Sequence, residues 1–240
     1  MGEKRQERNR VNKGDRIMKY QYKRMDGVLQ RIITFENGGT YSSEIVLDNA
    51  PGGDRTSDES AFDQYWLRSK VTPGTSFDRG DIRVVDLFCG CGGLTLGIAE
   101  ACRALEYNFV SVLAADMAPA ALELYRKNFN PAVVISDPIE QYIDSDLGDP
   151  LSEKEKRFCE LTGAIDILIG GPPCQGNSDL NNHTRRSDPR NLLYLRMIRC
   201  VEITRPRFLI IENVPGVQHD THNVVDIAKA ELIKLGYSVD

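Results

Sequence analysis

A cysteine between prolines and glycines is the residue of this chain best suited to covalent chemistry. Residues 170–176 read GGPPCQG and place Cys174 directly after a short apolar segment. Loops at strand ends often carry function, and the thiolate of a cysteine is a strong nucleophile. A buried structural cysteine is the alternative, but the flanking prolines and glycines favour a fixed loop. The segment therefore predicts a functional loop that carries Cys174.

A carboxylate follows a second apolar segment. Glu212 ends residues 207–212. Because parallel strands end at one edge of a sheet, we expect its side chain at the same edge as Cys174. A structural partner for a nearby arginine is the alternative.

A glycine-rich turn marks a third site. Residues 84–94 read VVDLFCGCGGL, a strand that runs into a turn and then a helix. Glycines let the backbone approach a ligand closely, and the first amides of a helix are free donors. The turn lacks the dinucleotide Gly-x-Gly-x-x-Gly form and the Walker lysine, so it indicates a nucleotide-type site that does not cradle phosphates. Asp116 ends the next apolar run and is suited to hold ribose hydroxyls, with a helix N-cap as the alternative.

The elements that position these residues alternate between strand and helix. Strands are predicted at 83–88, 109–115, 132–136, 166–170 and 207–212, and helices at 119–128, 191–204, 223–235 and from the glycine turn to Ala104. This alternation predicts parallel strands with right-handed crossovers, and the apolar runs predict helices on both faces. Residues 236–240 are predicted to start a sixth strand. A sheet that stops there leaves the fifth strand's edge open, which predicts either completion by another chain or a fragment.

The first eighty residues have a different character. Residues 1–16 are charged without an apolar period and are predicted to be disordered. Residues 28–35 and 43–47 are β-like and are split by Gly38-Gly39, as in a hairpin. A loop is predicted over 48–60, a short helix over 61–70 and a polar connector over 72–81.

Composition is ordinary for a globular protein: 240 residues, 41% hydrophobic and 27% charged. No apolar run is long enough to cross a membrane and no secretory signal opens the chain, so an intracellular protein is expected, cytoplasmic in a prokaryote or nuclear in a eukaryote. Six scattered cysteines and three histidines argue against a metal site. The net charge is −5, but residues 1–31 hold ten Lys/Arg against four Asp/Glu, which suits either phosphate contact or a solubilising tail.

Four segments, in order, resemble the DNA (cytosine-5)-methyltransferase family. Residues 86–93 resemble its cofactor motif, 172–176 its nucleophile motif, 188–193 the next segment and 212–214 its catalytic acid motif. The resemblance implies an α/β, Rossmann-like S-adenosylmethionine-dependent methyltransferase fold with a parallel sheet truncated after about five strands. It also implies an N-terminal extension, 1–80, and an incomplete catalytic domain, 81–240.

The resemblance implies a mechanism in which Cys174 attacks C6 of a cytosine flipped out of the duplex. Glu212 holds or protonates N3, and C5 takes the methyl group of S-adenosyl-L-methionine. A base then removes the C5 proton, and Cys174 is eliminated.

The resemblance also implies the residues that make contact. Cofactor contacts are implied for Asp86, Phe88, Gly90, Gly92, Gly93, Asp116, Met117, Asp137, Pro138 and Pro172. Among these, Phe88 is expected to pack on the adenine, Asp116 to bind the ribose and Asp137 the adenine amino group. DNA contacts are implied for Gln175, Gly176, Asn177 and Ser178.

The sequence departs from the family's pattern in three ways. Asn177 stands where the family usually has Phe, and Asp116 where it more often has the longer Glu. The family's later motifs, which include the target-recognition domain, are not found. The resemblance implies double-stranded DNA as a partner. Because the later motifs are not found, we also expect a second polypeptide. There are two alternatives: a fragment of a longer enzyme, and a non-catalytic methyltransferase-like binding subunit. A nicotinamide enzyme is disfavoured, because the PPCQ segment has no role in hydride transfer.

Overall fold

The structure, a computed structural model, describes residues 17–47, 57–68, 76–173, 192–212 and 224–239. Its contacts divide the chain into two compact units. The N-terminal unit reaches Asp78 and takes in the short segment 104–106, and the C-terminal unit holds the rest of the chain from Arg79. Within the described ranges, no helix is both long and apolar enough to cross a membrane.

Three antiparallel strands and one helix form the N-terminal unit. They are β1 (Ile17–Met25), β2 (Val28–Phe35), β3 (Thr40–Val46) and α1 (Asp58–Arg68), with strand order β1-β2-β3. Asp26 and Gly27 close the turn between β1 and β2, and Gly27 has a φ of 75° that glycine adopts without a steric penalty. The hairpin predicted over 28–47 is confirmed. The sequence analysis misses β1, in which nearly all side chains are exposed. The signal that identifies it is the alternation of Met18, Tyr20 and Tyr22 with polar residues, which is typical of a strand.

One face of this small sheet packs on α1. Leu29 and Ile45 are paired on β2 and β3 and form a buried cluster with Ala61 and Phe62 of α1. The guanidinium of Arg31 lies 4.6 Å from the centroid of the Phe62 ring, within the range of a cation–π contact. The unit therefore has a core of its own.

The C-terminal unit is a parallel sheet whose strands alternate with helices. Its elements are β4 (Asp81–Leu87), α2 (Gly93–Ala104), β5 (Asn108–Ala115), α3 (Pro119–Phe129), β6 (Val133–Ile135), a 3₁₀ turn (Ile139–Gln141), α4 (Glu153–Thr162), β7 (Ile167–Gly170), α5 (Leu192–Thr204), β8 (Phe208–Ile211) and α6 (Val224–Lys234). The strands lie in the order β6-β5-β4-β7-β8, and every pairing is parallel. This confirms the predicted α/β fold. Val84, Val85 and Leu87 of the central strand are fully buried, as expected of a strand covered on both faces.

Helix α4 lies where the sequence analysis predicts no element. The helix is strongly polar, so apolar periodicity does not reveal it. Its N-terminus carries a capping box, in which the Ser152 hydroxyl accepts from the Glu155 amide and the Glu155 carboxylate accepts from the Ser152 amide, both at 3.1 Å. The Ser-x-x-Glu spacing is the signal that identifies this helix start.

A buried ion cluster joins α4 to α5. Arg199 donates to the Glu155 carboxylate at 2.7 and 3.0 Å and to Glu202 at 2.7 Å. Burial acts to raise the pKa of Glu155, but hydrogen bonds from Arg199 and from two backbone amides outweigh it and lower that pKa. Because both Arg199 and Glu155 are almost wholly buried, each depends on the other to satisfy its charge.

Residues 236–239 do not form the predicted sixth strand. Gly236 has a φ of 90°, and the amides of Gly236 and Tyr237 bond to the carbonyls of Ile233 and Leu232. This is the Schellman pattern that ends a helix. Because Gly236 and Tyr237 close α6, the predicted start of a strand is not seen up to residue 239.

Arg199→Ala is expected to lower the free energy of unfolding by about 3–5 kcal/mol, because it leaves the buried Glu155 carboxylate without its partner. Urea denaturation followed by circular dichroism measures this loss. The control, Lys156→Ala, breaks an exposed pair with Glu153 and should cost less than about 1 kcal/mol. Equal losses in the two variants would contradict a stabilising role for the buried cluster.

Candidate functional site

Five of the candidate residues lie in one row along the carboxyl edge of the parallel sheet. In spatial order, the residues that follow β6, β5, β4, β7 and β8 include Asp137, Asp116, Phe88, Pro172 and Glu212. Neighbouring strands are about 4.8 Å apart, so the row is roughly 19 Å long. The chain leaves the central strand β4 toward β5 on one side and returns to β7 on the other. Such a switch point opens the crevice in which α/β proteins bind ligands.

The turn from β4 into α2 uses left-handed backbone conformations. Phe88 has a φ of 60°, and Gly90 and Gly92 have φ values of 51° and 89°. Residues other than glycine adopt positive φ rarely, so the surroundings hold Phe88 in this conformation. The amide of Cys89 donates to the carbonyl of Ala115 at 3.0 Å, which ties the turn to the end of β5.

Asp116 fastens the same turn from the next strand end. Its Oδ2 accepts from the Gly90 amide and its Oδ1 from the Ala118 amide, each at 2.8 Å. The N-cap residue of α3 is Ala118 itself, so Asp116 is not the helix cap that the alternative required. Each carboxylate oxygen retains a lone pair, so the side chain can still accept hydrogen bonds from a diol.

Asp137 lies at the outer end of the row. Its exposed carboxylate accepts a hydrogen bond from the hydroxyl of Tyr142 at 3.1 Å. The sequence analysis did not single out Tyr142. Met117 is exposed and Pro138 half-buried, each one position beyond a carboxylate of the row, and Gly93 begins α2. The amides that open α2 have no helical partner and are available to a ligand.

Close backbone packing brings the end of β7 against β4 and β8. A Cβ on Gly170 would lie 2.5 Å from the carbonyl oxygen of Leu87, and a Cβ on Gly171 would lie 3.2 Å from Oε2 of Glu212. The amide of Glu212 donates to the carbonyl of Gly170 at 3.0 Å. The absence of a side chain at Gly171 therefore lets the Glu212 carboxylate lie beside the segment that leads to the buried Pro172.

The predicted nucleophile and DNA contacts lie outside the described residues. They are Cys174, Gln175, Gly176, Asn177 and Ser178. The described part of this segment, residues 171–173, leaves β7 between β4 and β8 and passes the Glu212 carboxylate.

Asp86 supports the glycine turn from inside the sheet. Its side chain is 1% exposed and accepts from the Thr95 hydroxyl at 2.6 Å. Burial raises the pKa of Asp86 to about 7; the bond from Thr95 acts in the opposite direction, and the nearby Asp116 carboxylate adds to the rise. Sequence spacing did not reveal Thr95, because its role depends on a contact between α2 and β4.

The buried cysteine of the turn is unlike a nucleophile. Burial raises the pKa of the Cys89 thiol far above its ordinary value, and the neighbouring Asp86 raises it further, so Cys89 is a protonated thiol. Cys91 is exposed. Where the structure describes cysteines, none is in a disulfide, and the same part of the chain holds no cluster of three or more His, Cys, Asp or Glu that could bind a metal ion.

Comparison with known proteins gives a family match over the C-terminal unit. The model of the family described as C-5 cytosine-specific DNA methylase matches residues 82–240. A solved E. coli structure, assigned to a DNA modification methyltransferase encoded within a prophage, shares 30% identity and a TM-score of 0.48, covering 64% of this chain and 38% of that one.

Two curated relatives agree with the family match. Type II methyltransferase M1.BsuMI of Bacillus subtilis (strain 168) is 41% identical over 217 residues, which are 90% of this chain and 51% of the relative. Type II methyltransferase M.AgeI of Thalassovita gelatinovora is 36% identical over 162 residues, 66% of this chain and 34% of the relative. The chain spans about half the length of M1.BsuMI. The alignment with M1.BsuMI is longer than the segment 82–240, so that likeness extends into the N-terminal unit.

Asp86→Asn is expected to flatten the dependence of stability on pH. Because the folded pKa of Asp86 is about 7 and its ordinary value is 3.8, its contribution to stability is present below pH 4 and is lost as the pH rises through 7. From pH 5 to pH 8 the wild type should lose about 3 kcal/mol more than the variant. Urea denaturation at several pH values measures the difference. Asp146→Asn, at an exposed carboxylate, should follow the wild-type profile, and an Asp86→Asn profile parallel to the wild type would contradict a raised pKa.

Proposed function

The chain belongs to the C-5 cytosine-specific DNA methylase family, and on this premise we propose that residues 81–240 carry the cofactor-binding and nucleophile half of a DNA cytosine-C5 methyltransferase. The row of strand ends carries the proposal. Phe88, Asp116 and Asp137 occupy one side of the row, and Glu212 lies beside the nucleophile segment on the other. A methyl donor on the first side and a cytosine on the second would meet near the centre of the sheet.

S-adenosyl-L-methionine is the cofactor that fits the side of the row between β4 and β6. When bound, it supplies an electrophilic methyl group. Phe88 offers a ring for the adenine, while Asp116 and Asp137 offer carboxylates for the ribose hydroxyls and the adenine amino group. The free amides at the start of α2 suit the carboxylate of the methionine part. The acceptors and donors of this side of the row therefore match those of the cofactor.

Cys174 is the proposed nucleophile. Its thiolate attacks C6 of a flipped cytosine, while Glu212 holds or protonates N3 and so makes C6 more electrophilic. C5 then accepts the methyl group, a base removes the C5 proton, and the C6–S bond breaks to return the thiolate. The exposure of Glu212 and its position beside residues 171–173 support access of both groups to one ring. The proposed DNA contacts are Gln175, Gly176, Asn177 and Ser178.

A second polypeptide is the proposed partner at the open edge of β8. Among the described strands β8 lies at the edge of the sheet, and its Phe208 and Ile210 are 55% and 42% exposed. A cavity of about 740 Å³ lies beside β8 and α6. Because an exposed apolar edge favours pairing with another strand, a second polypeptide or a C-terminal continuation of this chain would complete the sheet here and supply the surface that reads the DNA sequence.

Methyl transfer tests the proposed activity. The chain, combined with the part of M1.BsuMI that it does not match, is expected to transfer labelled methyl from S-adenosyl-L-methionine to duplex DNA. Cys174→Ser should abolish transfer and leave cofactor binding, because a hydroxyl is a far weaker nucleophile than a thiolate. Cys159→Ser, at a half-buried thiol of α4, is the matched control.

Each result of this assay has a separate meaning. Full transfer by Cys174→Ser would contradict the nucleophile assignment. Transfer by the 240-residue chain alone would contradict the need for a second polypeptide. Cofactor binding without any transfer by the combined wild-type polypeptides would favour the non-catalytic binding subunit.

Asp116→Ala is expected to weaken binding of S-adenosyl-L-methionine by about tenfold to a hundredfold, because hydrogen bonds to a charged group contribute about 1.5–3 kcal/mol. Isothermal calorimetry measures the affinity. Asp116→Glu keeps the carboxylate and should retain most of the binding, and Asp146→Asn controls for loss of an exposed acid. Equal affinities of Asp116→Ala and wild type would remove Asp116 from the cofactor site.

A further inference from the structure

Two aromatic side chains of α3 lie directly against the glycine turn. A Cβ on Gly92 would lie 2.3 Å from Cε2 of Phe129 and 2.9 Å from Cδ2 of Tyr125, so the turn and the helix are in close contact. The two rings also pack on each other, with centroids 4.8 Å apart. Tyr125 and Phe129 are four residues apart on α3, so both rings lie on the same face of the helix and point to the glycine turn. The shape of the turn therefore depends on the position of α3.

The hydroxyl of Tyr125 belongs to a chain of hydrogen bonds that ends on Asp86. When Asp86 is ionised, the Thr95 hydroxyl donates to its Oδ2 at 2.6 Å, and the single proton of that hydroxyl is used there. The Tyr125 hydroxyl, 2.9 Å from Oγ1 of Thr95, must then donate to Thr95. In turn, Ser111, whose Oγ is 3.3 Å from the Tyr125 hydroxyl, donates to Tyr125. All three hydroxyl dipoles are thereby oriented toward the Asp86 carboxylate.

This carboxylate has few other sources of stabilisation. Oδ1 of Asp86 is buried and has no hydrogen-bond partner among the described atoms. The titratable groups that act on it are Asp116 from the end of β5, Cys89 from the turn and Tyr125 from α3. On β7, the residue paired with Asp86 is the uncharged Ile169. Since none of these groups is a cation, the hydroxyl chain is the main support that the structure gives to the charged form.

We propose that Tyr125 is a positioning residue of the glycine turn. Its ring holds the turn at Gly92, and its hydroxyl holds the turn through Thr95 and Asp86. The hydroxyl chain connects β5, α3, α2 and β4, the elements that end at or begin from the cofactor side of the row. The identity of the ligand at this turn rests on the proposed function. The orientation of Asp86 by the hydroxyl chain does not.

A purely structural tyrosine would affect only stability. Tyr125 is fully buried, so loss of its hydroxyl alters the core and changes the stability of the fold whichever role the residue has. A positioning role has a second consequence, because removing a donor from the chain destabilises the charged form of Asp86 and raises its pKa further. The ionisation of Asp86 is therefore the readout that separates the two roles.

The experiment compares three variants of the 240-residue chain. Tyr125→Phe removes the hydroxyl and keeps the ring, and Thr95→Val removes the direct donor to Asp86. Tyr237→Phe is the matched control, because it removes a tyrosine hydroxyl that donates to the carbonyl of Pro206. Carboxyl carbon NMR titration, with the Asp86 signal identified by its loss in Asp86→Asn, gives the pKa, and calorimetry with S-adenosyl-L-methionine gives the affinity.

The pKa of Asp86 should rise by about half a unit in Tyr125→Phe and by about one unit in Thr95→Val, and it should not change in Tyr237→Phe. Affinity for S-adenosyl-L-methionine should fall in the same order. An unchanged pKa and an unchanged affinity in both Tyr125→Phe and Thr95→Val would overturn the positioning role. If Tyr125→Phe does not fold, Thr95→Val decides by the same two measurements.

The test also separates this inference from the proposed function. If the wild-type chain does not bind S-adenosyl-L-methionine but the pKa of Asp86 rises as expected, the orientation of Asp86 by Tyr125 stands and the assignment of the cofactor fails. If the wild type binds the cofactor and neither the pKa nor the affinity changes in the variants, the cofactor assignment stands and Tyr125 is a core residue only.

Discussion

The candidate site depends on five parallel strands that end at one edge of a sheet. Helical crossovers return every strand in the same direction, so residues far apart in sequence follow strand ends that are neighbours in space. The constraint is strict at the centre, where Gly170 has no room for a side chain against the carbonyl oxygen of Leu87. Any displacement there would move the nucleophile segment and the glycine turn together. Gly170 and Gly92 therefore serve packing, against β4 and against α3, as much as contact with a ligand.

Burial gives three carboxylates around this edge different properties. Asp86 is enclosed and has a raised pKa, Asp116 is half-buried and holds two backbone amides, and Glu212 is exposed. A buried carboxylate without a cation is costly to ionise, so it suits a supporting position better than contact with a solvated ligand. The two that remain accessible are those for which the proposed mechanism requires direct contact with cofactor or base. The sheet therefore separates support from chemistry.

Local patterns predicted much of this arrangement, because each strand of the C-terminal unit is an apolar run. The five predicted strands and four predicted helices of that unit lie within two residues of the observed bounds. The failures have specific causes: β1 is almost wholly exposed, α4 is strongly polar, and the backbone bonds by which Gly236 and Tyr237 end α6 are not revealed by side-chain pattern. The role of Tyr125 is a contact between residues 30 positions apart along the chain, which no local pattern encodes.

The charge distribution suggests how the proposed enzyme could approach DNA. Residues 79–240 hold 17 Lys/Arg against 23 Asp/Glu, and the row itself presents Asp116, Asp137 and Glu212. Carboxylates suit a cofactor that carries a sulfonium and an ammonium group, but they repel phosphates. Attraction to the duplex must then come from elsewhere, and residues 1–31, with ten Lys/Arg against four Asp/Glu, have the required charge. On the proposed function, the cofactor therefore requires negative charge and the DNA requires positive charge. The acidic row within residues 79–240 supplies the first, and residues 1–31 supply the second.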